Sequence, residues 1–159
     1  MNGTRWLDEH EMAAWTAYLT AFHLLERHVE EQLKADAGLT HAQYEILVML
    51  SAAPGRRLRM SELARRVVVS RSGLTYQVGR LETMGLVARE TCASDERGVL
   101  AVLTAEGAAC LERTAPGHVA VVRELMIDLL DRDELETMTR AMRKMEAAMR
   151  RSPAPPADG

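Results

Sequence analysis

Apolar residues recur at helical spacing over most of this chain. From about Asp8 to Asp36 the sequence contains no Gly or Pro, and its apolar row consists of Met12, Trp15, Leu19, Phe22, Val29 and Leu33. The spacing of three, four or seven residues predicts one long amphipathic helix, which Gly38 ends. At roughly 1.5 Å per residue it extends about 40 Å. That length exceeds what a small domain needs to cover itself, so we expect this helix to pack on a partner subunit.

A second helix is predicted from Thr40 to Ala52, because Thr40 and Gln43 have the spacing of a capping box. The Pro54-Gly55 pair then predicts a turn. Leu58, in the basic connector that follows, is a candidate for a short edge strand.

Two short helix patterns come next, and a serine opens each of them. Ser61 is the candidate N-cap of the first and Ser70 of the second, with Val68-Val69 as the turn between them. In the second helix, Leu74, Val78 and Leu81 fall within about 60° of one another at 100° per residue. The alternative is a single helix from 61 to 84, which two capping serines so close together disfavour.

After Gly85, the segments Val87–Thr91 and Gly98–Leu103 predict two strands joined by a polar loop that carries Asp95, Glu96 and Arg97. Helix, turn, helix and hairpin in this order form a winged helix-turn-helix. The second helix of such a motif enters the major groove of DNA. An arginine at the tip of the hairpin is suited to the minor groove, where negative potential is concentrated.

Two further helices are predicted at the C-terminal end. Thr104 caps the first, and the Pro116-Gly117 pair either bends it or divides it into two collinear pieces. Asp131 and Glu134 form a capping box for the second. Its seam is typical of a coiled coil and consists of Leu135, Met138, Met142, Met145 and Met149. We favour pairing of the terminal helices with a second copy over packing on their own chain.

Charge changes this picture only locally. The net charge is −3, yet the stretch from Arg56 to Arg80 holds seven arginines and one acid, Glu62. Phosphate binding requires local positive potential rather than a basic protein. The outward face of the second motif helix combines Ser72, Tyr76 and Gly79, and small or hydroxyl-bearing side chains permit close approach to a groove.

Four segments resemble the MarR family of bacterial transcriptional regulators: S-R-S-G-L-T, the L-E-x-M-G-L-V after it, the D-E-R-G of the wing, and L-T-A-E-G. The resemblance implies a mostly α fold with a small β-wing, and it implies that Asp95 positions Arg97. Tyr76 departs from the family, in which a basic residue commonly stands there. The residues expected at DNA are Ser70, Arg71, Ser72, Thr75, Tyr76, Arg80, Asp95 and Arg97.

The resulting organisation is one MarR-like domain. Residues 1–38 form an N-terminal dimerisation helix, residues 39–104 the DNA-binding lobe, residues 105–151 the C-terminal dimerisation helices, and residues 152–159 a disordered tail. The expected function is that of a homodimeric regulator, a repressor of a near-palindromic operator on double-stranded DNA. The resemblance also suggests a pocket for a small aromatic effector, for which the candidates are Trp15, His41 and Tyr44.

Catalytic and metal-binding signatures are not found in the sequence, so we expect neither an enzyme nor a cofactor. His23 and His28 lie about 140° apart around a helix, which is poor geometry for a ligand pair. The sequence has neither a membrane-span pattern nor a signal-peptide pattern, and we expect a cytoplasmic protein. Two other functions stay open: a winged-helix module that binds protein, and a thiol-based redox sensor that uses Cys92 or Cys110.

Overall fold

The computed structural model describes residues 3–67, 71–92 and 95–151, and over these residues it has the predicted mostly helical winged fold. The helices are α1 (Glu9–Ala37), α2 (His41–Ala52), α3 (Met60–Val67), α4 (Arg71–Thr83), α5 (Ala105–Leu125) and α6 (Arg132–Arg151). The strands are β1 (Arg57–Arg59), β2 (Val87–Cys92) and β3 (Asp95–Leu103). Short 3-10 helices occupy Pro54–Arg56 and Ile127–Leu129.

The chain divides into two compact units, Met1–Val121 and Val122–Gly159. The first unit contains α1 to α4, the sheet and most of α5. The second contains the end of α5 and the whole of α6. The predicted tail, residues 152–159, lies outside the described residues.

Local side-chain caps define where the first helices begin and end. Asp8 and Glu11 form a capping box at the start of α1, and Gly38 ends that helix in the left-handed conformation with φ of 66°. Thr40 and Gln43 form the predicted capping box of α2. The Thr40–Gln43 box and the end of α1 at Gly38 were predicted, because such caps join residues close together in the sequence, whereas the Asp8–Glu11 box was not predicted.

The core of the first unit lies between α2, α3, α4 and the sheet. Its largest fully buried apolar side chains are Leu33, Leu39, Ile46, Leu47, Leu50, Leu63, Leu74, Val78 and Leu81. The apolar row predicted for the second motif helix, Leu74, Val78 and Leu81, is therefore buried. Ala64 is also buried, in α3, which contacts α4.

The sheet has three antiparallel strands in the order β1-β3-β2, and Leu58 pairs with Ala101 in the predicted edge strand. The wing differs from the prediction. Asp95, Glu96 and Arg97 belong to strand β3 and not to the connecting loop, because antiparallel pairing continues to Cys92 and Asp95. The register shifts between Thr91 and Cys92, which pair with Val99 and Asp95. The backbone of Arg97 thus lies where the regular pairing of the two strands is interrupted.

Two other boundaries correct the sequence prediction. α3 begins at Met60, so Ser61 lies in its first turn and is not its N-cap. α5 continues through Pro116 as one helix, so the division into two collinear pieces is wrong. Proline removes one backbone hydrogen bond, and the remaining bonds of a long helix can sustain it. The predicted turn Val68-Val69 and the cap Ser70 lie outside the described residues.

A glycine and a threonine join the start of α5 to the segment that follows α4. Thr104 Oγ1 donates to the carbonyl of Gly85 at 2.8 Å and accepts from the backbone N–H of Gly107 at 3.0 Å. A Cβ placed on Gly107 would lie 2.2 Å from the carbonyl oxygen of Leu86. The L-T-A-E-G motif therefore has a structural reason, because only glycine permits this approach of helix and loop.

In the second unit, a capping box begins α6. Asp131 and Glu134 form the predicted capping box of α6, with bonds of 2.9 and 2.8 Å. Met142, Met145 and Met149 of the predicted seam are exposed.

Candidate nucleic-acid interface

Helix α4 has one buried and one exposed side. Leu74, Val78 and Leu81 are buried, whereas Ser72, Thr75, Tyr76 and Arg80 are exposed. Tyr76 has 65% of its surface exposed, which is unusual for a large aromatic ring. The four exposed side chains therefore lie on the surface that the helix presents away from its core.

The other predicted DNA contacts are described only in part. Ser70 lies outside the described residues, and the side chains of Arg71, Asp95 and Arg97 lie outside them as well. The backbone places Arg71 at the start of α4, and Asp95 and Arg97 in the first part of β3. Their roles at DNA stay predictions.

Among the described residues, none comes close enough to position 79 to require a glycine there. A Cβ built there would meet Arg89 Nη2 at 3.8 Å, an ordinary van der Waals distance. Glycine nevertheless costs about 1 kcal/mol of helix propensity relative to alanine. The fold itself does not require this glycine, so any demand for a small residue comes from outside the described contacts.

Arg89, in β2, fixes α4 against the wing. Its Nη2 donates to the backbone carbonyl of Thr75 at 3.0 Å, and its Nε lies 3.2 Å from Glu82 Oε2. Arg89 was not among the predicted functional residues, because an arginine in a strand is typical of an ordinary exposed position. Its contacts join strand β2 to helix α4, and 14 positions separate Arg89 from Thr75.

A groove of about 420 Å³ lies beside this contact. It is lined by Arg59, Met60, Ser61, Thr75, Arg89, Gly98 and Val99. Two guanidinium groups and two hydroxyl groups in one open groove suit an anionic surface such as a phosphate backbone. The positive stretch from Arg56 to Arg80 is partly compensated, since Arg57 pairs with Glu90 at 3.2 Å and Arg66 pairs with Glu62.

The structure brings together two of the three predicted effector residues, His41 and Tyr44. His118, from α5, joins them, with ring centroids 4.6 Å from Tyr44 and 6.2 Å from His41. Glu26 Oε1 lies 3.4 Å from His41 Nδ1. His118 was not predicted to lie here, because 77 positions separate it from His41. We refer to Glu26, His41, Tyr44 and His118 as the histidine–tyrosine cluster.

Trp15 lies elsewhere on α1. Its ring stacks on Tyr18 with centroids 6.1 Å apart, and Tyr18 stacks on Phe22 at 6.2 Å. All three rings are substantially exposed. Along a helix, 11 residues separate Trp15 from Glu26 by about 16 Å. Trp15 is thus part of an aromatic row, which we define as Trp15, Tyr18 and Phe22.

Burial changes the ionisation of the histidine–tyrosine cluster and its surroundings. Burial lowers the pKa of His118, and the positive charge of His41 lowers it further. Burial also raises the pKa of the Tyr44 hydroxyl. For Glu45, burial raises the pKa, His41 lowers it and Glu26 raises it. His118 Nδ1 is buried without a hydrogen-bond partner among the described residues, which agrees with a neutral imidazole.

Cysteine and metal chemistry are described only within residues 3–67, 71–92 and 95–151. There, Cys110 is a free, buried thiol, and the side chain of Cys92 lies outside the description. In the same part of the chain, no three His, Cys, Asp or Glu side chains are grouped as metal ligands would be. Every helix described is too short or too polar to cross a membrane.

Comparison with known proteins agrees with this geometry. The sequence profile of the MarR family matches residues 37–98. The crystal structure of Sco3205 in complex with DNA, a MarR family transcriptional regulator from Streptomyces coelicolor, is 43% identical with a TM-score of 0.91, covering 97% of this chain and 95% of that one. AbsC, from the same organism and family, is 42% identical with a TM-score of 0.90, covering 94% and 100%.

A curated relative extends the similarity to another genus. The HTH-type transcriptional repressor YetL of Bacillus subtilis (strain 168) is 32% identical over 119 residues, which cover 74% of this chain and 71% of YetL.

Proposed function

Because this chain belongs to the MarR family of DNA-binding transcriptional regulators, we propose that it acts as a homodimeric repressor of a near-palindromic operator. The exposed face of α4 carries the proposal, since Ser72, Thr75, Tyr76 and Arg80 lie opposite a fully buried row. Two such helices in one dimer would enter successive major grooves about 34 Å apart. The relative YetL is named a repressor, and Sco3205 was crystallised with DNA.

The proposed contacts fall into two groups. Ser70, Arg71, Ser72, Thr75, Tyr76 and Arg80 would meet the major groove or its phosphates, and Arg97, positioned by Asp95, would enter the minor groove. Tyr76 would replace a cation of the family with a ring and a hydroxyl, so the preferred operator sequence would differ from that of relatives with a basic residue. Gly79 supports close approach, because its own chain leaves room for a Cβ.

The proposed dimer would use residues 1–38 and 105–151, on either side of the DNA-binding lobe 39–104. On α1 the support is the exposed aromatic row, and on α6 it is the exposed methionine seam. Large apolar side chains grouped on one exposed face are typical of an association surface.

A small aromatic acid or phenol is the proposed effector. The support is the histidine–tyrosine cluster, which offers two rings and a neutral imidazole within one group. Trp15 stays a candidate contact if the partner subunit brings it to that cluster. An effector would favour a dimer with the wrong helix spacing, a coupling of about 1–3 kcal/mol.

Titration of a labelled duplex from the DNA upstream of the chain's own gene tests the proposal at two salt concentrations. We expect a specific complex whose affinity falls steeply with salt, because phosphate contacts release counterions. Arg97→Ala should weaken operator binding more than tenfold while sedimentation still gives a dimer. Arg27→Ala, on exposed α1, is the matched control.

Three outcomes would redirect the assignment. Unchanged affinity of Arg97→Ala would remove the wing from the interface. Absence of a specific complex at low salt would favour the protein-binding module. Loss of DNA binding in peroxide, prevented by Cys92→Ser, would favour the redox sensor.

A further inference from the structure

Gln43 is a buried polar residue between α2 and α4. Its side chain is 6% exposed, in a region where the neighbouring buried residues are mostly apolar. A buried amide is costly unless both its oxygen and its nitrogen have partners. The contacts of Gln43 therefore indicate what this side chain does.

Each end of the Gln43 amide has a different partner. Its Oε1 accepts from the backbone N–H of Thr40 at 3.0 Å, which completes the capping box of α2. Its Nε2 donates to Gln77 Oε1 on α4 at 3.0 Å. The capping box explains the first contact and leaves the second, between residues 34 positions apart, without a local reason.

Gln77 stands on α4 between exposed Tyr76 and buried Val78, and it is itself half-buried. Its carbonyl oxygen is directed at α2. Because successive residues of a helix point about 100° apart, fixing Gln77 also fixes the direction in which Tyr76 and Arg80 project.

The start of α2 is also held to α1. The backbone N–H of His41 donates to Glu30 Oε2 at 2.6 Å. Hydrogen bonds therefore connect α1, the start of α2 and α4 through Glu30, Gln43 and Gln77.

We propose that Gln43 and Gln77 are positioning residues that set the rotation of α4 for operator recognition. The proposal rests on the function proposed above. Gln77 acts through Gln43 and does not read DNA itself. Breaking the pair leaves α4 folded through its buried row but lets its exposed face turn, so specific binding suffers more than binding to random DNA.

The variants are chosen to keep the helix cap intact. Gln43→Ala would remove the cap as well as the link, so Gln77→Ala is the primary variant. Gln43→Glu is the conservative partner, because a carboxylate still caps α2 and the amide of Gln77 can turn to donate to it. The double variant Gln43→Glu/Gln77→Glu places two acceptors face to face. Ser51→Ala, at an exposed position near the end of α2, is the control.

Affinities for the operator and for a random duplex, together with melting temperatures, are measured for the full chain. Gln77→Ala should lose about tenfold in operator affinity and less than twofold on random DNA, while Gln43→Glu stays within threefold of wild type on both. Gln77→Glu is also measured alone. The loss of operator affinity in the double variant should exceed the product of the losses in the two single variants, Gln43→Glu and Gln77→Glu. Ser51→Ala should match wild type.

The outcomes separate this proposal from the function on which it rests. A wild-type chain without an operator complex overturns both. Wild-type binding with Gln77→Ala within twofold of it overturns the positioning role alone. The positioning role is also overturned if the affinity loss of the double variant equals the product of the two single losses. Gln77 would then act at DNA independently of Gln43. Equal losses of affinity on operator and random DNA, with a lowered melting temperature, would mean that the Gln43–Gln77 pair only stabilises the fold. That result would overturn the positioning role as well.

Discussion

Helices α1 and α4 both carry a row of apolar side chains, but the row of α4 is buried and the aromatic row of α1 is exposed. In α4, Leu74, Val78 and Leu81 are 1%, 0% and 0% exposed. In α1, Trp15, Tyr18 and Phe22 are 51%, 42% and 48% exposed. The apolar row of α4 meets its own chain, whereas the aromatic row of α1 is available to another surface.

This difference shows that the position of an apolar face and the surface that covers it are determined separately. Helical periodicity identifies the apolar face, but it does not identify what covers that face. Within α1 itself, Val29 and Leu33 are buried and α2 contacts the helix, while the aromatic row lies further toward the N-terminus. One continuous pattern thus covers a core segment and an exposed segment.

The largest expected effect lies in the buried row of α4. Leu81→Ala should lower the free energy of unfolding by about 3 kcal/mol, because a buried leucine loses its contacts and leaves a cavity. Urea unfolding measures it. Leu24→Ala, the same truncation at an exposed position of α1, should change the value by less than about 0.5 kcal/mol. Equal losses at both sites would remove the contrast between the helices.

The next effect lies where the segment after α4 meets α5. Gly107→Ala should lower the free energy of unfolding by about 2 kcal/mol, since its Cβ would meet the Leu86 carbonyl oxygen at 2.2 Å and the backbone must move. Thermal or urea unfolding measures the change.

Gly79→Ala provides the control for that substitution. Its Cβ has room, so the alanine should raise stability by up to about 1 kcal/mol through helix propensity. Stabilisation by both alanines would mean that Gly107 does not have to be glycine.

A smaller effect is expected in the aromatic row of α1. Phe22→Ala should raise the dissociation constant of the dimer at least tenfold, about 1.4 kcal/mol, because aromatic side chains contribute strongly at interfaces. Analytical ultracentrifugation measures it. Tyr76→Ala removes an even more exposed ring from α4 and should leave association unchanged. If only Tyr76→Ala weakened the dimer, the exposed face of α4, and not the aromatic row of α1, would be the association surface.

The smallest expected effect is on the pH dependence of stability, and it tests the histidine–tyrosine cluster, whose residues come from α1, α2 and α5. The folded protein lowers the pKa of His118 through burial and through His41. Below about pH 6.5, the ordinary value, the unfolded chain therefore binds a proton that the folded chain resists. Stability should decrease as the pH falls from 6.5 through the lowered pKa.

His118→Gln should reduce this dependence, as urea unfolding between pH 7.5 and 5 would measure. Glu45 acts in the opposite sense, because its raised pKa favours proton uptake by the folded chain at lower pH. The difference between wild type and His118→Gln isolates the imidazole. An unchanged slope would mean that His118 does not contribute.

By itself, the sequence determined the features that arise within a few residues of chain. The Thr40–Gln43 and Asp131–Glu134 boxes, the Gly38 end of α1 and the buried row of α4 were all predicted. They depend on backbone geometry and on spacing along one helix, which the order of residues specifies directly.

The tertiary structure decided which distant residues meet. Gln43 looked like a capping residue, and only folding showed that its nitrogen bonds Gln77. The meeting of His118 with Tyr44, and of Arg89 with Thr75, likewise joins different elements. Such contacts depend on how helices and strands pack after they form, and the periodicity of a single element does not show which polar side chains of other elements it will meet.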